Sequence, residues 1–128
     1  MSELAPGLPA GFRLHHYATL GSTNDEAKAL ARDGAPDGTL VWADAQTAGR
    51  GRRGRIWLSP PGNLYATLLL SEPSPTECAP QLSFVAALAL HDAIAECAAQ
   101  LGPMLKVKWP NDLLIGGAKV AGILIEGE

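Results

Sequence analysis

Four short segments hold the residues with chemistry to offer. Gly49-Arg50-Gly51-Arg52-Arg53-Gly54-Arg55 alternates glycine with arginine. Glycine lets backbone N–H groups turn towards an anion. Arginine adds planar, permanently charged forks suited to phosphate or carboxylate. No Gly-Lys-Ser/Thr ends the run and no helical pattern follows, so it is not a P-loop. Trp57 and the flanking apolar strands favour a loop ordered by a ligand over a basic loop that contacts RNA. Lys108-Trp109-Pro110-Asn111-Asp112 sets an amide and a carboxylate at a strand end. Alone it reads as an Asx turn opening a hairpin. A hairpin through Gly116-Gly117 could, however, bring Asp112 close to Lys119. Lys119 enters an apolar strand and needs an acceptor if buried. Gly122 marks either a close approach of a ligand or a bulge. An edge lysine with its head in water fits these two residues equally well. Ser22-Thr23-Asn24 opens a helix, and Gln46 precedes the arginine loop. By themselves these are polar residues with no catalytic force.

The elements that must position these groups follow from hydrophobic spacing. A strand is expected over Phe12 to Tyr17. A helix then opens on a capping box, with Thr23 as N-cap and Glu26 three residues on. Gly34 stops it. Thr39 to Ala43 reads as a buried strand, and Gln46 to Asn63 as a long loop that is functional or mobile. Leu64 to Leu70 resumes as a strand until Pro73 and Pro75. Leu82 to Leu101 should be a largely buried helix ended by Gly102-Pro103. Met104 to Trp109, Leu113 to Ile115 and Lys119 to Glu126 are strands, the last two joined through Gly116-Gly117. On the last strand, Lys119, Ala121, Ile123 and Ile125 should share one face. The fold class is therefore α+β, a mixed or antiparallel sheet with helices on one face. Residues 1–11, rich in proline and glycine, should be mobile or loosely docked. Residues 12–128 should form one domain.

Composition narrows the function classes. The chain of 128 residues is 47% hydrophobic and 18% charged, with a net charge of −3. No apolar run reaches a membrane span of ~18 residues, and no secretory signal opens the chain. A cytoplasmic protein is expected. Overall acidity disfavours a nucleic-acid groove, yet no acid occurs between Ala45 and Ser71, where Arg50, Arg52, Arg53 and Arg55 lie. That local charge suits a small anionic ligand. Cys78 and Cys97 form no CxxC pattern, so a zinc site is not expected, and Cys97 should lie in helix core.

In order and spacing, GSTNDEA, AQTAGRGRRGRIW, PPGNLYATLLL and KWPNDLLIGGAKVAGILIE resemble the catalytic domain of biotin protein ligase. The resemblance runs from Phe12 to Glu126, and the pairing of GRGRRG with KWPND and AGIL is highly specific. It implies the sheet fold shared with lipoate ligases and class II aminoacyl-tRNA synthetases. It further implies that biotin is activated by Mg-ATP to biotinyl-5′-adenylate and passed to a lysine of a biotin carboxyl carrier domain. ATP and Mg2+ would be co-substrates, with no permanently bound cofactor and no metal held by the protein. By the same resemblance, Ser22, Thr23 and Asn24 line the biotin pocket, with Gln46 near the ureido ring and Gly122 beside the biotin. Gly49, Arg50, Gly51 and Arg52 close over biotin and the adenylate phosphate, accompanied by Arg53. Trp57 orders near the nucleotide. Lys119 contacts the biotin carboxylate and the α-phosphate. Asp112 serves the acceptor amine, with Asn111 beside it on the nucleotide side. Arg50, Arg52, Asp112 and Lys119 are the expected catalytic residues. The family continues past an AGIL strand, so the chain is expected to be the first part of that domain. No helix-turn-helix precedes Phe12, so no DNA partner and no membrane partner is expected. A homodimer is compatible with the reading. A lipoate or octanoyl ligase, and a binding module without turnover, are the alternatives.

Overall fold

The computed structural model describes residues 6–71 and 79–127. Its order is β1 (Arg13–Leu20), α1 (Thr23–Arg32), β2 (Thr39–Gln46), a 3-10 turn (Arg52–Gly54), β3 (Tyr65–Leu68), α2 (Ala79–Cys97), a 3-10 helix (Ala99–Met104), β4 (Leu105–Lys108), β5 (Asp112–Ile115) and β6 (Ala118–Gly122). The strands divide between two three-stranded sheets, β1-β2-β3 and β4-β5-β6. The first is mixed and the second antiparallel. Each sheet belongs to its own compact unit, α1 with the first and α2 with the second. Residues 6–11 carry neither helix nor strand. The expectation for residues 1–5, the prolines at 73 and 75, and Cys78 lie outside the described residues.

In the first unit, β1 and β2 run parallel with α1 as the crossover between them. Arg13 faces Thr39 at one end and Leu20 faces Gln46 at the other. A parallel pair requires such a crossover, because a tight turn cannot reverse the chain twice. Val41 and Ala43 on β2, Tyr65 on β3 and Ala27 on α1 form the buried core. α1 starts one residue earlier than the sequence suggests. Ser22, extended at φ −156° and ψ 136°, is the N-cap, and its hydroxyl accepts from the Asp25 N–H. Thr23 is already helical. The expected reciprocal bond from Glu26 is replaced, because its carboxylate accepts from the Tyr17 hydroxyl at 2.8 Å.

The second unit corrects several boundaries. α2 ends at Cys97, and the chain up to Met104 tightens into a 3-10 helix that contains Pro103. Ala87 and Ser83 are buried, but Phe84, Val85 and Leu88 are exposed, so α2 is not the largely buried helix expected. Cys97 is exposed rather than core. Trp109 falls outside β4 and is exposed, its ring meeting Phe84 edge-on at 5.6 Å. β5 and β6 pair around Gly116 and Gly117, both left-handed at φ 58° and 85°, as a Gly-Gly turn favours. β6 stops at Gly122 rather than Glu126. Its register with β5 shifts between Leu113 and Leu114, which leaves Val120 as an extra residue. A bulge of this kind breaks strict alternation, so the two-face pattern drawn from sequence does not hold along this strand.

Candidate functional site

The first unit gathers seven of the expected residues into one hydrogen-bonded cluster. Its origin is the register of β1 and β2. Because Leu20 faces Gln46, the chain leaving β2 runs beside the start of α1. Thr47 N–H donates to Leu20 C=O at 2.9 Å, and Ala48 N–H to Gly21 C=O at 2.8 Å. Gln46 then reaches across. Its Oε1 accepts from Thr23 N–H at 2.7 Å, and its Nε2 donates to Ser59 Oγ at 3.0 Å. The backbone donor fixes which end of this amide is oxygen. Ser59 Oγ donates onward to Trp57 C=O at 2.9 Å.

Gly49 sits at the tightest point. A Cβ there would stand 2.5 Å from Ser59 Oγ, 2.6 Å from Trp57 C=O and 2.8 Å from Gln46 Nε2. Only a residue without a side chain fits. Trp57 N–H donates to Gly49 C=O at 2.9 Å, and Arg50 bridges Ile56. The arginine loop is thus folded back on itself by two bridges and a 3-10 turn, rather than being structureless. Arg50 is half-buried. Its Nη2 lies 2.8 Å from Asp25 Oδ1 and its Nη1 3.4 Å from Ser22 Oγ. Beside it, Thr23 Oγ1 meets Thr67 Oγ1 at 2.7 Å, and Thr67 donates to Asn24 Oδ1. A groove of about 320 Å³ opens along Gln46, Gly49, Arg50 and half-buried Trp57, with exposed Ile56 and Leu58 on its rim.

The second unit holds the other expected residues. Asp112 opens β5 and Lys119 lies on β6, with Oδ1 and Nζ 3.2 Å apart. This is the charge pair expected from the hairpin, on rigid strands. Gly122 faces Asp112 across the ladder. Asn111 is buried, and its Nδ2 donates to Ile123 C=O at 2.7 Å while Ile123 N–H returns a bond to Asn111 C=O at 2.9 Å. Its amide therefore ties β6 to the turn before β5. Gly51, Arg52 and Arg53 belong to this unit. Arg52, Arg53 and Asn111 line one cavity of about 300 Å³ with Ser83, Ile123 and Leu124. Arg53 is left-handed at φ 61°, a conformation that costs a non-glycine residue roughly 1–2 kcal/mol.

Three residues in these clusters were not found by sequence reasoning. Asp25 reads as a first-turn acid that complements the helix dipole, and nothing in its spacing points to Arg50. Ser59 and Thr67 read as ordinary loop and strand residues. Among the titratable groups, Tyr17 is shifted above its ordinary value of 10.0 by its hydrogen bond to Glu26, by burial and by the Glu26 charge.

These features define an α+β protein with a clamped Gly-Arg loop and a charged β-hairpin. A sequence model of the biotin/lipoate A/B protein ligase family matches residues 18–128, and the chain belongs to that family. It has the α+β fold of the biotin protein ligase catalytic domain. It is 52% identical over 105 residues to a biotin–[acetyl-CoA-carboxylase] ligase of Paracoccus denitrificans, covering 82% of this chain and 43% of that one. It is 45% identical over 129 residues to the bifunctional ligase/repressor BirA of Bacillus subtilis, covering 98% and 39% respectively. A crystal structure of a Leishmania major biotin protein ligase with biotinyl-5-AMP superposes with a TM-score of 0.83 at 32% identity, over 94% of this chain and 53% of that one. The chain thus spans less than half the length of these two curated relatives. Among the described residues, no helix is long and apolar enough to cross a membrane.

Proposed function

We propose that the chain acts in biotin–protein ligation. It would activate biotin with ATP to biotinyl-5′-adenylate, then pass the biotinyl group to a lysine of a biotin carboxyl carrier domain in the cytoplasm. One observation carries this reading. Ser22, Thr23, Asn24, Gln46, Gly49 and Arg50 are scattered along the sequence, yet they meet in one cluster within a family that includes ligases of this kind. Residues 12–128 would form part of one catalytic domain, with residues 1–11 outside it.

In this reading, the first cluster receives the uncharged ring of biotin through short polar contacts. A carboxylate oxygen of biotin attacks the α-phosphorus of ATP, and the bond to the pyrophosphate oxygen breaks. Negative charge grows on the α-phosphate oxygens, where Lys119, Arg50 and Arg52 can stabilise it. Lys119 must exchange Asp112 for the phosphate. Lys119 is 45% exposed and Asp112 19% exposed, so water can take the place of the lysine at the carboxylate only in part. Arg53, Gly51, Trp57 and Asn111 would border the nucleotide, and Gly122 would let biotin approach β6. The carrier amine then attacks the acyl carbon, AMP leaves, and Asp112 takes or orients the amine proton. No group of three or more His, Cys, Asp or Glu comes together among the described residues. Mg2+ would arrive as a co-substrate with the phosphates of the nucleotide.

The test mixes the protein with biotin, Mg-ATP and a carrier domain, and weighs the carrier. A biotinyl mass increment on one lysine is the expected result. No increment at any protein concentration, together with no pyrophosphate release, would remove catalysis by this chain. Heat of biotin binding without pyrophosphate release would leave a binding module. An increment with lipoate or octanoate in place of biotin would move the substrate class.

A further inference from the structure

We propose that Asp25 is a positioning residue for Arg50, holding the guanidinium in place before any ligand arrives. The inference rests on the adenylate-binding reading above and assigns a role to a residue outside it. Arg50 is fixed at both ends of its side chain. At the backbone, Gly49 is pressed against Gln46, Trp57 and Ser59, and Arg50 itself bridges Ile56. At the head, Nη2 lies 2.8 Å from Asp25 Oδ1. Asp25 is in turn fixed by the fold. It lies in the first turn of α1, where its N–H bonds the Ser22 hydroxyl, and that same hydroxyl receives Arg50 Nη1. Ser22, Asp25 and Arg50 therefore form a closed triangle rooted in a helix cap.

The chemistry explains why a carboxylate suits this position. An arginine side chain has many rotamers, and a ligand that must first order it binds more weakly than one that finds it ordered. A charged acceptor holds the guanidinium more firmly than a neutral one. Asp25 is more than half exposed while Arg50 is only a quarter exposed. Water therefore screens the repulsion between Asp25 and an arriving phosphate, whereas the arginine stays aimed from within the groove. The ordering gain exceeds the screened repulsion, so Asp25 raises affinity for a phosphate-bearing ligand.

Two measurements test this. The first needs no ligand: the heteronuclear NOE of the Arg50 Nε–Hε group in the full chain. It should be close to backbone values in the wild type, fall in Asp25→Asn, and recover in Asp25→Glu. Equal mobility in wild type and Asp25→Asn overturns the proposal, even if the adenylate reading stands. The second is the affinity for biotinyl-5′-AMP. Asp25→Asn should weaken it about tenfold with an unchanged Tm, and should have no effect in an Arg50→Ala background. A full tenfold loss in that background would show that Asp25 acts without Arg50, and would overturn the proposal. If the wild type binds no biotinyl-5′-AMP, the adenylate reading fails while the NOE still decides the placement of Arg50.

Discussion

Around Gln46 the polar atoms are tied to one another, whereas around Lys119 one ion pair stands half in water. The Gln46 amide uses both its ends inside the protein, on Thr23 N–H and Ser59 Oγ. Gly49 has no room for a methyl group. The Asp112–Lys119 pair sits on a bulged hairpin, with the lysine 45% exposed. A rigid, internally satisfied lattice suits recognition of a neutral ring, because it has little freedom to lose on binding. A half-exposed lysine suits charge that changes during a reaction, because it can leave one anion for another with water at hand. Binding and chemistry should therefore respond to mutation in opposite ways in the two regions.

Three substitutions press on that contrast. Gly49→Ala should have the largest effect. Its Cβ meets a carbonyl on one side and two hydrogen-bonded side chains on the other, so the loop must shift, at a cost of about 1–3 kcal/mol in stability. Biotin binding measured by calorimetry should disappear; near-normal heat would show that the loop is slack. Lys119→Ala should lower pyrophosphate exchange about a hundredfold, the ~3 kcal/mol typical of one lost transition-state donor. Its melting temperature should move less than that of Gly49→Ala, since Lys119 itself is half-exposed. Normal exchange would sink the assignment of Lys119. Gln46→Leu should show the reverse pattern. It strands the N–H of buried Thr23 at a cost of about 1–3 kcal/mol, visible as a lower denaturant midpoint. It should raise KM for biotin more than it lowers kcat.

The smallest effect concerns Tyr17, which lies apart from both regions. Its folded pKa is raised, chiefly by the hydrogen bond to Glu26. The stability it contributes is therefore complete below its unfolded value of about 10 and is lost as pH rises through the folded value. Melting curves above about pH 10 should fall more steeply for wild type than for Tyr17→Phe. Parallel curves would remove the Tyr17–Glu26 contribution.

The hairpin was legible in the sequence because its rules are local. Gly116-Gly117 demands left-handed backbone, and seven residues of chain suffice to bring Lys119 back to Asp112. The bulge at Val120 was not legible, because a register shift depends on what β5 presents and leaves no mark on β6 alone. The start of α1 was displaced by one residue because Ser22 and Thr23 are both good caps, and the choice falls to the strand end that precedes them. α2 was misjudged because uniform apolarity states that a helix wants cover, not that it receives it. The first cluster was legible in its members and not in its wiring. Resemblance picked out Gln46, Gly49 and Arg50, but Asp25, Ser59 and Thr67 enter through tertiary register alone.

The parallel pairing of β1 with β2 has a kinetic consequence. It is set by a single crossover, and every partner in the first cluster lies between Ser22 and Thr67. These contacts close loops of up to 44 residues, all of them complete once the chain reaches Thr67. During synthesis, the neutral-ring pocket could assemble as soon as Thr67 clears the ribosome, well before the hairpin with Asp112 and Lys119 exists. The order in which the chain is made would then match the proposed order of use, a place for the ligand before the hairpin charges that would act on it.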